Sequence, residues 1–260
     1  MKNIFGKIYI LIIMLFLYLP ILTLIVLSFN EAKSMAVFTR FSLHWYQELF
    51  QSKLMLGAIV NTFSIAILAA LIATVVGTMA AIALGGMKKK TQTALLAVNN
   101  IPMLNADIVT GIALMLFFLM LGVPRGYCTI LFSHAVFCIP YVLLSVRPRL
   151  NKNTDKLFEA ALDLGASEKY AFRKIVLPEL KPGILTGFLL SFTMSVDDFI
   201  ITYFTRGAGI NTISTLIYSE VKIGIRPSLF ALSTIIFIIA LIVLLIVNIQ
   251  QSKQEKLSFS

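Results

Sequence analysis

Charge is scarce in this 260-residue chain: Asp, Glu, Lys and Arg together make up 13%, where a soluble domain carries about 25%. With 58% apolar residues and a mean hydropathy of +0.91, that shortage excludes a disordered chain and an ordinary soluble enzyme. Cysteine is nearly absent. Its two copies, Cys128 and Cys138, are separated by about 15 Å of rise on a helix, too far for a disulfide. A disulfide-stapled secreted domain is excluded, and both cysteines read as packing residues. The two histidines form no spacing with them that would hold a metal. No G-x4-G-K-[ST] phosphate loop occurs; Lys88, Lys89 and Lys90 follow Gly85 and Gly86, but at the wrong spacing. Acids are the rarer charge, 12 against 22 basic residues, for a net charge of +10. In a soluble protein that excess would point to nucleic acid. Here the basic residues cluster between apolar runs, so they read as a topology signal and no nucleic-acid partner is expected.

What is abundant is long apolar sequence. Runs of 20 or more residues recur at about 8–29, 57–86, 93–121, 126–146, 184–204 and 229–248. Each is long enough to cross a bilayer as a helix, and an isolated segment in lipid must satisfy its own backbone groups. The first run is too long for a signal-peptide core and no small-residue cleavage site follows it. The expected fold is an all-α membrane protein of six transmembrane helices, a single transmembrane domain over 1–260. Fifteen of the 22 basic residues fall in the N-terminus, the 88–90 loop, the 147–183 segment and the C-terminal tail. Positive charge marks the cytoplasmic side, so both termini are expected there, with lipid around a multi-pass chain. The outer segment 30–56, with Trp45 and Tyr46, is expected to lie along the membrane face, and Gly122 to Gly126 with Pro124 to form a tight turn.

Segment 147–183 reads as two short helices. The first runs from about Thr154 to Leu164, capped by Asn153 or Thr154, with Leu157, Ala160, Ala161 and Leu164 on one face and Gly165 at C′. Ser167 caps the second, which is expected to stop at Pro178. Glu159-Ala160-Ala161, three residues, Gly165, nine residues, then Ile175-Val176-Leu177-Pro178 resembles the EAA loop, E-A-A-x3-G-x9-I-x-L-P, of importer permeases of the ATP-binding cassette (ABC) class. The match needs no insertion and lies ahead of the penultimate span, where that family carries it. The resemblance implies the type I ABC importer permease fold. It also implies that Glu159, Ala160, Ala161, Gly165, Leu177 and Pro178 couple this chain to a separate ATPase, which would hold ATP and Mg. The chain itself is expected to be no enzyme and to hold no cofactor.

Three acids lie inside the expected spans: Asp107, Asp197 and Asp198. Burying each costs about 2.5–3.5 kcal/mol at mid-bilayer, and such residues are functional suspects by default. No Lys or Arg lies deep in the spans to neutralise them. Along continuous helices Asp107 and Asp197 would each sit about 20 Å from the cytoplasmic end. The missing counter-charge would then come from a cationic substrate. Phe199 and Tyr203 follow the acid pair, and aromatic faces attract ammonium groups. Pro102 and Asn105 disturb the third span near Asp107. Other readings stay open: Asp107 can be structural, and Asp197 or Asp198 can cap or bond a neighbouring helix. Adjacent residues diverge by about 100°, so one of the pair is expected to face the pore. His134 reads as a buried, hydrogen-bonded histidine.

The stretches N-A-D-I-V (105–109), L-F-S-H-A-V-F-C-I-P (131–140), L-D-L-G-A-S-E (162–168), R-K-I-V-L-P (173–178) and L-S-F-T-M-S-V-D-D-F (190–199) look like the spermidine/putrescine importer permeases of the PotC type. That resemblance implies a bacterial cytoplasmic (inner) membrane location. It implies a PotB-like permease, two PotA-like ATPase subunits and a PotD-like polyamine-binding protein as partners. The alternatives are an ABC permease for another cationic solute and an ion-coupled secondary transporter, which would leave the EAA loop unexplained.

Overall fold

The structure, a computed structural model, describes residues 2–33, 37–150 and 152–242. Among these residues it is helical throughout, apart from an isolated bridge between Asn30 and Phe41. The helices are α1 Lys2–Ser28, α2 His44–Gln51, α3 Lys53–Gly85, α4 Lys89–Leu104, α5 Asp107–Met120 and α6 Tyr127–Val146. They continue as α7 Lys152–Asp163, α8 Glu168–Ala171, α9 Leu177–Asp197, α10 Ile200–Thr205 and α11 Ile213–Ile223, and end with α12, Ser228–Ile242. A π turn, Phe172–Val176, joins α8 to α9. The expected single domain separates into two compact units, Met1–Leu56 with Ile217–Ser260, and Gly57–Leu216.

Four of these stretches are long and apolar enough to cross a membrane, or five if the bent pair α4 and α5 counts as one span. In α1 every side chain from Gly6 to Pro20 is exposed, so it is apolar on all faces, as a helix bathed in lipid must be. The run at 229–248 appears as α12 up to Ile242; its last residues and the tail lie outside the described residues.

Two of the expected continuous spans are broken. Over 93–121 the chain bends by 104° between α4 and α5. Pro102 withholds an amide from the last turns of α4, and Asn105 and Ala106 then turn extended, with ψ of 149° and 137°. The depth of Asp107 reckoned along a straight helix therefore does not apply. Over 184–204 the helix stops after Asp197, because Asp198 is extended (ψ 129°), and restarts as α10.

The opposite correction holds at Pro178, where the second loop helix was expected to stop. Helix continues from Glu168 to Asp197. The π turn shifts the hydrogen-bond register just ahead of Pro178, which then sits in the first turn of α9, where its missing N–H breaks nothing. Ser167 holds the cap position of α8, but its side chain makes no cap bond. α7 begins at Lys152, before the expected caps Asn153 and Thr154, so its cap falls outside the described residues.

In the first unit, Trp45 is 3% exposed and donates from Nε1 to the Asn30 carbonyl at 2.6 Å. Tyr46 Oη meets Ser28 Oγ at 2.8 Å. Trp45 is thus a core residue, not the membrane-face ring expected from the sequence. In the second unit α6 and α9 pack closest. A Cβ on Gly183 would stand 2.8 Å from the Ser145 carbonyl oxygen, and one on Gly187 3.0 Å from Val142 Cα. Gly77 of α3 meets the other side of Val142, where a Cβ would lie 2.8 Å from the valine Cβ. Phe137, Val146 and Leu180 complete this core.

Candidate functional site

The 147–183 segment presents a knob. Phe158 anchors α7 by packing on the core beside Leu150 and Phe172. That anchoring turns the expected apolar face outward: Leu157 is 59% and Leu164 89% exposed, and Glu159 and Ala160 are exposed with them. Ala161 is half-buried. Gly165 ends the helix at φ +86°. Its N–H reaches the Leu162 carbonyl at 2.9 Å, and the Ala166 N–H reaches the Ala161 carbonyl at 3.0 Å. This pair of bonds is the Schellman closure, which needs a left-handed residue at C′. Leu177 is half-buried and Pro178 exposed at the start of α9, whose preceding π turn packs against α7. Of the expected coupling residues, Glu159, Ala160, Gly165 and Pro178 are thus exposed, and Ala161 and Leu177 half-buried.

The three acids sit at the two helix breaks, in unlike surroundings. Asp107 is the first residue of α5, where a carboxylate suits the positive end of the helix dipole. It is exposed, and it makes no hydrogen bond or ion pair among the described residues. Asp197 ends α9, and it too is exposed and unbonded among the described residues. Asp198 turns inward, its side chain 7% exposed. Its carboxylate accepts the N–H groups of Ile201 at 3.2 Å and Thr202 at 2.8 Å, and the Thr202 hydroxyl at 2.9 Å. It therefore caps α10. Its carbonyl accepts the Ser214 hydroxyl at 2.7 Å.

Sequence reasoning did not assign the residues that surround Asp198. His134 of α6 lies 3.3 Å from Asp198 Oδ2 through Nε2, and the same nitrogen is 2.9 Å from Thr202 Oγ1. Its Nδ1 meets Ser195 Oγ at 2.7 Å. The signal was present as a stripe of polar residues, Ser191, Ser195, Asp198, Thr202 and Thr205, at intervals of three and four. α10 carries this network to α5: a Cβ on Gly111, one turn beyond Asp107, would lie 3.1 Å from the Phe204 ring and 3.5 Å from Ile201 Cα.

Phe199 and Tyr203 pair, with ring centroids 5.4 Å apart. The Tyr203 face also has a cation of the chain's own, since Arg206 Cζ stands 5.5 Å from its ring centroid. Arg206 bonds Asn211 Oδ1 as well. Both arginines Arg125 and Arg206 line a cavity of ≈ 560 Å³ with Met115, Tyr203, Phe204 and Asn211. Around Tyr203 the lining is therefore basic, while the unbonded acids mark the two breaks.

Apolar helices long enough to cross a membrane, interrupted at acid residues and followed by an exposed helical knob, fit a transport permease. Residues 73–256 match the family described as the binding-protein-dependent transport system inner membrane component, and the chain belongs to that family. It is 37% identical over 226 residues to the spermidine/putrescine transport system permease protein PotC of Haemophilus influenzae, covering 87% of this chain and 88% of that one. It is 36% identical to the Escherichia coli K12 protein of the same name, over 88% of this chain and 87% of that one. It is 37% identical to the putrescine transport system permease protein PotI of Escherichia coli K12, over 85% and 81%. Among solved structures, a chain of a bacterial ABC transporter that imports alginate superposes with a TM-score of 0.76 at 16% identity, covering 96% of this chain and 95% of that one. A chain of the MetNI methionine ABC transporter gives 0.59 at 17% identity, over 76% and 96%. At such identities the likeness speaks for the fold alone.

Proposed function

We propose that this chain is a PotC-like permease subunit of an ABC importer that moves polyamines, spermidine or putrescine, across the bacterial cytoplasmic membrane. Six spans of the type I arrangement, with both termini in the cytoplasm, fit the distribution of basic residues. The chain pairs with a PotB-like permease. Two PotA-like subunits hold ATP and Mg and dock on the knob of Glu159, Ala160, Ala161 and Gly165, with Leu177 and Pro178 at its base. A PotD-like protein delivers the substrate from outside. ATP-driven closure of the ATPases moves the knobs together and opens the cavity outward; hydrolysis resets it.

The observation that carries the cation reading is the pair Asp107 and Asp197, two carboxylates at helix breaks without a partner among the described residues. A polyamine ammonium supplies that partner, with Phe199 following the acids in sequence, while Tyr203 already faces Arg206. Asp198 supports the site by holding α10. The test is ATP-dependent uptake of labelled spermidine by cells that lack their own importers and carry this chain with its four partner subunits. Uptake by the wild type that disappears with Asp107→Asn/Asp197→Asn, at equal amounts of complex, is the expected result. An assembled wild-type complex that takes up no polyamine removes the proposal.

A further inference from the structure

We propose that His134 is a positioning residue for the substrate acids: its imidazole clamps the break in the 184–204 span and so fixes the direction of Asp197. The proposal rests on the reading of Asp197 as a substrate acid.

The ring bonds on both sides. His134 Nδ1 pairs with the Ser195 hydroxyl at 2.7 Å. The hydroxyl of Thr202 donates its single proton to Asp198 at 2.9 Å, so it accepts from His134 Nε2, also at 2.9 Å. The carboxylate ends the chain, gathering donors from Thr202, Ile201 and, at 3.3 Å, His134.

The placement matters more than the chemistry of the ring. Ser195 is in the last turn of α9, Thr202 in α10, and Asp198 is the extended residue between them. A single side chain from α6, 3% exposed, holds both sides of the break. The angle at which α9 meets α10 is then set by α6. Asp197 is bonded directly to Asp198, so the clamp sets its direction. The contact of α10 with Gly111 carries the same constraint to α5 and its first residue, Asp107.

His134 bonds Ser195, Thr202 and Asp198 rather than Asp197, so its role is read as a change in KM at equal amounts of complex. The experiment is polyamine uptake into proteoliposomes containing the full complex, with His134→Phe, His134→Gln and Asp197→Asn beside wild type. Phe keeps a ring and loses both bonds; Gln keeps an amide donor near the Nε2 position. His134→Phe is expected to raise KM about tenfold, the scale of one lost charge-assisted hydrogen bond, with His134→Gln in between. Ser195→Ala should raise KM alone but add little on top of His134→Phe, because the two act through one chain. If His134→Phe fails to assemble, His134→Gln is compared with His134→Asn, which cannot reach the Nε2 position; Gln is expected to keep the lower KM. Equal KM values for wild type and His134→Phe, or for the Gln and Asn variants, overturn the clamp. Absence of uptake by the wild-type complex overturns the polyamine reading instead, so the two failures are distinct.

Discussion

Asp197→Asn and Asp198→Asn are expected to fail in different ways, although the residues are neighbours. The Asp198 carboxylate accepts three bonds at 2.8–3.2 Å from α10 and lies 3.3 Å from His134. Asparagine keeps one acceptor oxygen and turns an amide N–H2 toward donors. With that oxygen at the Oδ2 position it keeps both Thr202 bonds and loses the one to Ile201, so one bond to a charged acceptor is lost, at about 1.5–3 kcal/mol. For a chain of this size each kcal/mol lowers a melting midpoint by about 2–4 °C, so Asp198→Asn should lose about 3 °C or more. Asp197 is exposed and unbonded among the described residues, and its replacement should stay within about 0.5 kcal/mol. The assay is thermal stability of the detergent-solubilised complex, followed by spermidine uptake at matched amounts. Asp197→Asn should melt like wild type and lose uptake; Asp198→Asn should melt early. Asp198→Asn that melts with the wild type refutes the capping argument. Asp197→Asn that transports normally refutes its role as a substrate acid.

Two more outcomes follow from packing and exposure. Gly183→Ala places a Cβ 2.8 Å from the Ser145 carbonyl and should cost about 1–3 kcal/mol. Gly57→Ala, with nothing within 4 Å, should be neutral or gain up to about 1 kcal/mol from helix propensity; matching melting curves for the two would refute the close approach of α6 and α9. Leu164→Ser, at a position 89% exposed, should leave the melting of the isolated permease pair unchanged while reducing the ATPase recovered with it by affinity purification, and undiminished recovery would separate the knob from ATPase docking.

Much of this architecture was legible because it follows from chain chemistry acting locally. The apolar runs correspond to α1, α3, α6 and the Glu168–Asp197 helix, and Gly165 stands at C′ with φ +86°. The breaks were only half legible. Pro102 and Asn105 pointed to a disturbance, but a 104° bend depends on what α5 packs against, and that is tertiary. Pro178 misled because a proline stops a helix only when its amide is needed, and the π turn removes that need. The stripe of Leu157, Ala160, Ala161 and Leu164 on α7 was legible, but its outward direction was not, because it depends on Phe158, offset by one position, packing on the core. Trp45 was placed at the membrane face by its type, whereas its indole N–H satisfies the Asn30 carbonyl inside the first unit. The unlike surroundings of Asp197 and Asp198 were available in the spacing. Asp198 continues the stripe of Ser191 and Ser195, and Asp197 lies about 100° away from it on the helix.

Under the proposed function, that division of labour follows from what a cation importer must do with a carboxylate in a membrane. An acid whose oxygens already accept three donors, as those of Asp198 do, is stabilised in its charged form before any substrate arrives. An ammonium gains little by adding one more bond there. An acid with no protein partner gains most from the ammonium, because the interaction replaces water alone. Water at an exposed carboxylate also weakens the attraction, from an upper bound of about 20 kcal/mol for a dry pair toward about 1–4 kcal/mol at 4 Å. Under the proposed function a transported cation has to leave again, which the exposure of Asp107 and Asp197 would permit, while Asp198 holds the start of α10. In the proposed importer, strengthening the site by burying Asp197 would trap the polyamine rather than speed its passage.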